Sequence, residues 1–239
     1  MPLYIAFDSH SALGERCDFT AVRTTRGDDP RYEEGAVVPS GPWLPLAEVD
    51  SAELIAPASL APSTLVELVR PPMPSGADLS RLGTSLGDDQ AHYLGQARAT
   101  PDMLTTTVNH QNGRRIGLHL DNWDKLISGR KHTGRRRLAL NLGPGARYIV
   151  LGTLDAQAVC RALYPEDHEY RYPHTDDCRA YVAAGHPARC VRIRLLPGEG
   201  YIAPTEYLLH DGSTEEQGAG STMAFWLGRW PARTLPSLV

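Results

Sequence analysis

From about residue 103 onward, apolar and polar positions alternate. In 114–123, RRIGLHLDNW, Ile116, Leu118 and Leu120 share one face, and Gly117, His119 and Asp121 share the other. An extended chain imposes this, because successive side chains point to opposite sides. RRLALNLG repeats the pattern with Leu138, Leu140 and Leu142 on one face. The Gly143-Pro144-Gly145 turn separates it from a further strand, ARYIVLGTL. MLTTTVNH (103–110), rich in β-branched residues, CVRIRLL and TMAFWLGRW also read as strands. YIAPTEYLLH reads as two short strands around Pro204. Asp155 N-caps a short helix, AQAVCRALY, that Pro165 stops. Residues 165–188 are polar and aperiodic and read as a loop. About seven short strands separated by turns predict a mostly β protein, a sandwich or barrel.

The first hundred residues differ. They are rich in Pro, Gly, Ser and Ala, and their periodicity is weak. Thr64 to Glu67 has the form of a capping box opening a helix, TLVELVR, ended by Pro71 and Pro72. A second helix is expected within 78–99, interrupted by Gly83, Gly87 and Gly95. The expected organisation is an irregular, partly helical N-terminal cap over 1–100, not an independent domain, on a β core over 101–239.

Composition removes several classes. The 239 residues carry a net charge of −4, which argues against a general nucleic-acid binder. No stretch approaches the roughly 20 apolar residues of a membrane span. The N-terminus lacks a basic region followed by an apolar run, so no signal peptide is expected. The four cysteines, Cys17, Cys160, Cys178 and Cys190, have no CxxC spacing. The expectation is a cytoplasmic protein with free thiols, rather than a disulfide scaffold or a Cys-rich zinc site. Of the 24 basic side chains only Lys125 and Lys131 are lysines. With so many arginines, an arginine near a motif carries little weight by itself.

The candidate chemistry lies in His119-Leu120-Asp121 with His210, 91 positions further on. Two histidines and a carboxylate form a facial triad suited to non-haem Fe(II), which leaves positions open for oxygen and substrate. In a strand, His119 and Asp121 project together, opposite the leucines. A second triplet, His174-Thr175-Asp176, has no alternation around it and reads as part of a solvated loop.

Together, GLHLDNWD and PGEGYIAPTEYLLHDGST resemble the Fe(II)/2-oxoglutarate-dependent oxygenases over roughly residues 103–230. Arg137 to Leu142, RLALNL, is similar to an Arg-before-strand pattern that follows HxD in prolyl-hydroxylase-like members. The resemblance implies a double-stranded β-helix, a jelly-roll or cupin-like barrel, with Fe(II) held by His119, Asp121 and His210. It implies 2-oxoglutarate and O2 as cosubstrates, an arginine binding the distal carboxylate, and hydroxylation of a small molecule such as an amino acid or a natural-product intermediate. Members usually place that basic residue a short way after the distal histidine. Here residues 211–228 hold no Arg or Lys, and Arg229 is 19 positions on. The cosubstrate candidates are therefore Arg229, Arg137, Arg147 and Asn141, with Arg194 behind them. Trp123 and Asn122 are expected at the pocket mouth, and Asn109 and Tyr201 in the lumen, as substrate contacts. Two other readings stay open: a cupin-type dioxygenase or isomerase without 2-oxoglutarate, and a non-enzymatic β-barrel binding a small ligand. None of the three implies nucleic acid or membrane as a partner, and the oligomeric state is open.

Overall fold

In a computed structural model, residues 3–27, 29–47, 50, 52–56, 60–72 and 78–239 are described. Among them, eleven strands form two sheets. The strands are β1 (Ile5–Ala6), β2 (Cys17–Thr24), β3 (Val37–Pro45), β4 (Val66–Val69), β5 (His92–Ala99), β6 (Arg136–Pro144), β7 (Arg147–Asp155), β8 (Arg189–Leu195), β9 (Gly200–Ala203), β10 (Leu208–Ser213) and β11 (Ser221–Gly228). The six-stranded sheet runs β1-β4-β9-β6-β11-β5 and the five-stranded sheet β10-β7-β8-β2-β3. All pairings are antiparallel except β1 with β4. The helices are α1 (His10–Gly14), α2 (Leu82–Ser85), α3 (Ala156–Leu163) and α4 (Thr175–Ala183).

The period-two pattern sorts side chains into layers. Ala139 of β6 and Ile149 and Leu151 of β7 join the central core between the sheets, with Val66, Leu68, Val191, Ile193 and Met223. Leu138 and Leu140 of β6 point the other way, into a cluster with Trp226, Trp230, Leu82 and Leu86. Val150 of β7 points outward beneath α3 and α4, where Ala156, Val159, Cys178 and Tyr181 cover it. Each fully buried leucine of this kind stabilises the fold by about 2 kcal/mol.

Several expectations are corrected. Residues 1–100 are not merely an irregular cap: they supply β1 to β5, woven into both sheets. TLVELVR opens no helix, because Val66–Val69 is a strand whose residues are all buried. A strand covered on both faces loses its alternation, so the capping-box signature prevailed in the sequence. Within 78–99 helical structure covers only 79–85, and β5 follows. The 103–110 stretch is no strand, making a single bridge from Val108 to Arg115. Thr106 and Thr107 instead turn their polar groups on Asp211. The 165–188 loop contains α4, which buries only Cys178 and Tyr181 and so left little periodicity to read. All four cysteines are free and buried. Among the described residues no helix is long and apolar enough to cross a membrane.

Candidate metal centre

The segment 117–121 lies in extended form beside β10. His119 N–H donates to the His210 carbonyl at 3.1 Å, and His210 N–H returns a bond to the His119 carbonyl at 3.0 Å. Leu118 N–H bonds the Val37 carbonyl at 2.7 Å, and Asp121 N–H bonds the Thr205 carbonyl at 3.0 Å. Leu118 and Leu120 enter the cluster beneath α3 and α4, so His119 and Asp121 face the other way. Gly117 begins the segment with φ +75°, and a Cβ there would collide with the Val37 carbonyl. On the opposite side the β10–β7 register shifts between Leu208 and His210. Such an irregularity re-aims a side chain next to a site.

The triad results from these constraints. His119, Asp121 and His210 are all buried, and one ligand atom from each lies within 4.8 Å of the others. The imidazole rings are 4.5 Å apart. The Nδ1 of His119 lies 2.9 Å from the Gly117 carbonyl, and that of His210 lies 3.3 Å from the Leu208 carbonyl. A carbonyl can only accept, so Nδ1 carries the proton and Nε2 keeps its lone pair for a metal. His210 Nε2 is buried without a hydrogen-bond partner and lies 3.7 Å from Asp121 Oδ2.

Electrostatics favour the ligand forms. Burial presses the His210 imidazole down to about 3, so it is neutral at ordinary pH. Burial also opposes ionisation of Asp121, but the neighbouring Arg137 guanidinium offsets it, and the carboxyl is held below its usual range. Arg137 Nη2 stands 2.6 Å from Asp121 Oδ2, although the angles are not those of a hydrogen bond. A buried neutral imidazole without a partner, beside a carboxylate balanced only by an arginine, fits a cation site of nitrogen and oxygen donors.

A narrow cavity adjoins the triad between the sheets. Arg137, Arg147, Tyr201, His210, Met223 and Phe225 are among the residues lining it. Arg147 is 5% exposed, and among the described residues its guanidinium makes one hydrogen bond, from Nη2 to Thr106 Oγ1 at 3.1 Å. Gly212 makes room for the guanidinium, which a Cβ would strike. Burial pushes the Tyr201 hydroxyl up to about 12, so it keeps its proton.

The remaining candidates are placed elsewhere. Arg229 is exposed at the end of β11, donating to the Thr133 carbonyl and lying 3.8 Å from Asp124. Asn141 is buried but fully used, bonding the Gly145 and Leu195 carbonyls and the Gly143 N–H. Trp123 is 53% exposed. Asn109 bonds Glu33, and Asn122 accepts from Lys131. Of the residues proposed from sequence to bind cosubstrate or substrate, the structure brings Arg137, Arg147 and Tyr201 into one cavity with His210.

Sequence reasoning missed a buried support behind Asp121. Lys131 Nζ pairs with Glu206 Oε2 at 3.0 Å, reaches Asn122 Oδ1 at 3.0 Å and lies 3.4 Å from the Asp121 carbonyl. Glu206 Oε1 accepts from Asp124 N–H at 2.8 Å. The rarity of lysine in this chain was the available signal. Asp211, which the sequence places beside His210 as a residue shaping the loop, accepts through Oδ1 from the backbone of Thr106, Thr107 and Gly212 and so fixes the cavity wall. No protein-family model matches the chain, and no curated protein matches it.

Proposed function

We propose that this protein is an Fe(II)/2-oxoglutarate-dependent oxygenase that hydroxylates a small molecule, of the size of an amino acid or a natural-product intermediate. The observation carrying the reading is Arg147: a buried guanidinium with no carboxylate within 4.0 Å among the described residues, lining the same cavity as His210. A triad alone fits many metal sites. A triad beside an unpaired buried cation fits a metal that works with an anionic cosubstrate. Strand order supports a double-stranded β-helix, since the 117–119 segment, β10, β7 and β8 adjoin in one layer and β5, β11, β6 and β9 in the other.

Iron bound there, with 2-oxoglutarate and O2, supplies an oxidant that couples decarboxylation of the cosubstrate to hydroxylation of a C–H bond. The chain's part is placement. His119 and His210 present Nε2, each ring fixed by its Nδ1 bond to a backbone carbonyl two residues earlier. Asp121 supplies the negative ligand. Arg147 offers its fork to the distal carboxylate, and the protonated Tyr201 hydroxyl is a donor in the same cavity. Ile149, Met223 and Phe225 give the same cavity an apolar side.

The test is anaerobic addition of Fe(II) with and without 2-oxoglutarate, read as visible metal-to-ligand absorption. The expected result is a band that needs both additions and disappears in H119A. Iron binding with no response to 2-oxoglutarate would leave a metal centre of another class. Iron binding unchanged by H119A would overturn the assignment of the triad.

A further inference from the structure

A second cavity, of about 160 Å³, opens away from the triad. Ile149 of β7 lines the cavity beside His210, and Thr153 of β7 lines this one. The two residues are separated by about 13 Å of extended strand. The floor of the second cavity is apolar. Leu3, Leu54 and Val191 belong to the central core, and Phe19 and Leu46 pack against that core. The Thr153 hydroxyl is already engaged, donating to the Arg189 carbonyl at 3.1 Å. A closed apolar cavity of roughly 150 Å³ takes a molecule the size of benzene. The oxygenase chemistry proposed above makes no use of this space.

Charge is confined to the rim, where Asp50, Glu53 and Arg189 stand. The Arg189 guanidinium carbon lies 5.2 Å from the centre of the Phe19 ring. It is the neighbour of two acids, with Nη1 3.9 Å from Asp50 Oδ1 and Nη2 4.0 Å from Glu53 Oε2. Both separations are too long for a hydrogen bond, so the rim holds two carboxylates and one guanidinium that do not bond one another. A cation arriving there meets an excess of one negative charge. A carboxylate arriving at Arg189 meets two like charges beside its partner. The rim therefore selects positive ligands.

We propose that this cavity is a second ligand site, for a small organic monocation whose apolar body, the size of a single ring, sits on Phe19, Leu46 and Val191 and whose ammonium is held at the rim by Asp50 and Glu53. Leu46, Asp50 and Leu54 come from the connection between β3 and β4, and Phe19 and Val191 from the sheet. A bound ligand ties that connection to the sheet, and binding to the folded state alone raises the melting temperature.

The experiment is calorimetric titration of the full-length protein near neutral pH with benzylamine, benzyl alcohol, benzoate and ethylamine, with melting temperature measured for every variant. Benzylamine is expected to bind, benzyl alcohol about 10-fold more weakly for want of the charge, and benzoate and ethylamine not detectably. L46W, which fills the cavity, is expected to abolish benzylamine binding. The double variant D50N, E53Q alters only the rim and serves where L46W does not fold; it is expected to weaken benzylamine about 10-fold and to leave benzyl alcohol unchanged. Saturating Zn(II) is expected to leave benzylamine affinity as it was. If Zn(II) displaces the amine, it binds at the triad and the second site is overturned. If benzoate binds as tightly as benzylamine, or the double variant binds benzylamine like the wild type, the selection of a cation is overturned. If no ring compound binds, the whole site is overturned, and the reading of the triad stands apart from all of these outcomes.

Discussion

The chain writes His-x-Asp twice, and the two copies end in different structures. His119 and Asp121 lie on an extended segment and bring their ligand atoms within 4.8 Å of that of His210. His174 and Asp176 flank the start of α4, where His174 is the N-cap and Asp176 is exposed and paired with Arg179 at 3.1 Å. Residues two apart share a face only when the backbone is extended; a helix turns them well away from each other. The triplet is therefore not the site. The site is the triplet plus whatever holds it extended: Gly117, the Leu118 bond to Val37 and the reciprocal His119–His210 bonds.

The largest test of this contrast is metal affinity. H119A, D121A and H210A are each expected to weaken Co(II) or Fe(II) binding by at least about 100-fold in calorimetric titration, whereas H174A and D176A leave it unchanged. Loss of binding in H174A would show that the wrong triplet had been chosen.

Next comes the support behind Asp121. K131M leaves Glu206 charged and buried, and is expected to cost about 3 kcal/mol in urea unfolding. Because Lys131 also holds Asn122 and lies against the Asp121 carbonyl, metal affinity should fall about 10-fold in the folded variant. A stability loss with unchanged affinity would confine Lys131 to the fold.

G117A probes the extended segment itself. A positive φ and a Cβ directed at the Val37 carbonyl predict a loss of about 2 kcal/mol. Weaker metal binding should accompany it, since the Gly117 carbonyl orients His119. The smallest effect belongs to the second triplet. Asp177 accepts the His174 backbone N–H at 2.8 Å, so D177A should cost about 1 kcal/mol of stability and nothing in metal affinity.

Legibility followed how each segment is covered. β6, β7, β8 and β11 could be read because each carries an alternating or strongly β-branched pattern, as with Leu138 and Leu140 facing Trp226 and Ala139 facing the central core. Val66–Val69, apolar or buried throughout, had no such contrast and carried a misleading helix signature. Residues 103–110 had strand-forming composition, but their donors serve Asp211 rather than a neighbouring strand. The triad was legible because its first two ligands lie within one alternating run. Which arginine faces the cavity was not, because it depends on which strands adjoin. Arg137, near the start of β6, and Arg147, at the start of β7, are only ten positions apart in sequence yet stand on different sheets.

The sequence by itself determined a mostly β chain, the face shared by His119 and Asp121, and the presence of His210 at the end of an apolar run. These are local properties, set by the period of an extended backbone. Only the tertiary structure decided that His210 pairs with His119, that Arg229 lies outside the site, and that Arg137 and Arg147 share its cavity. Those outcomes depend on contacts between residues far apart in sequence, and on which buried charges find a partner within the protein and which do not.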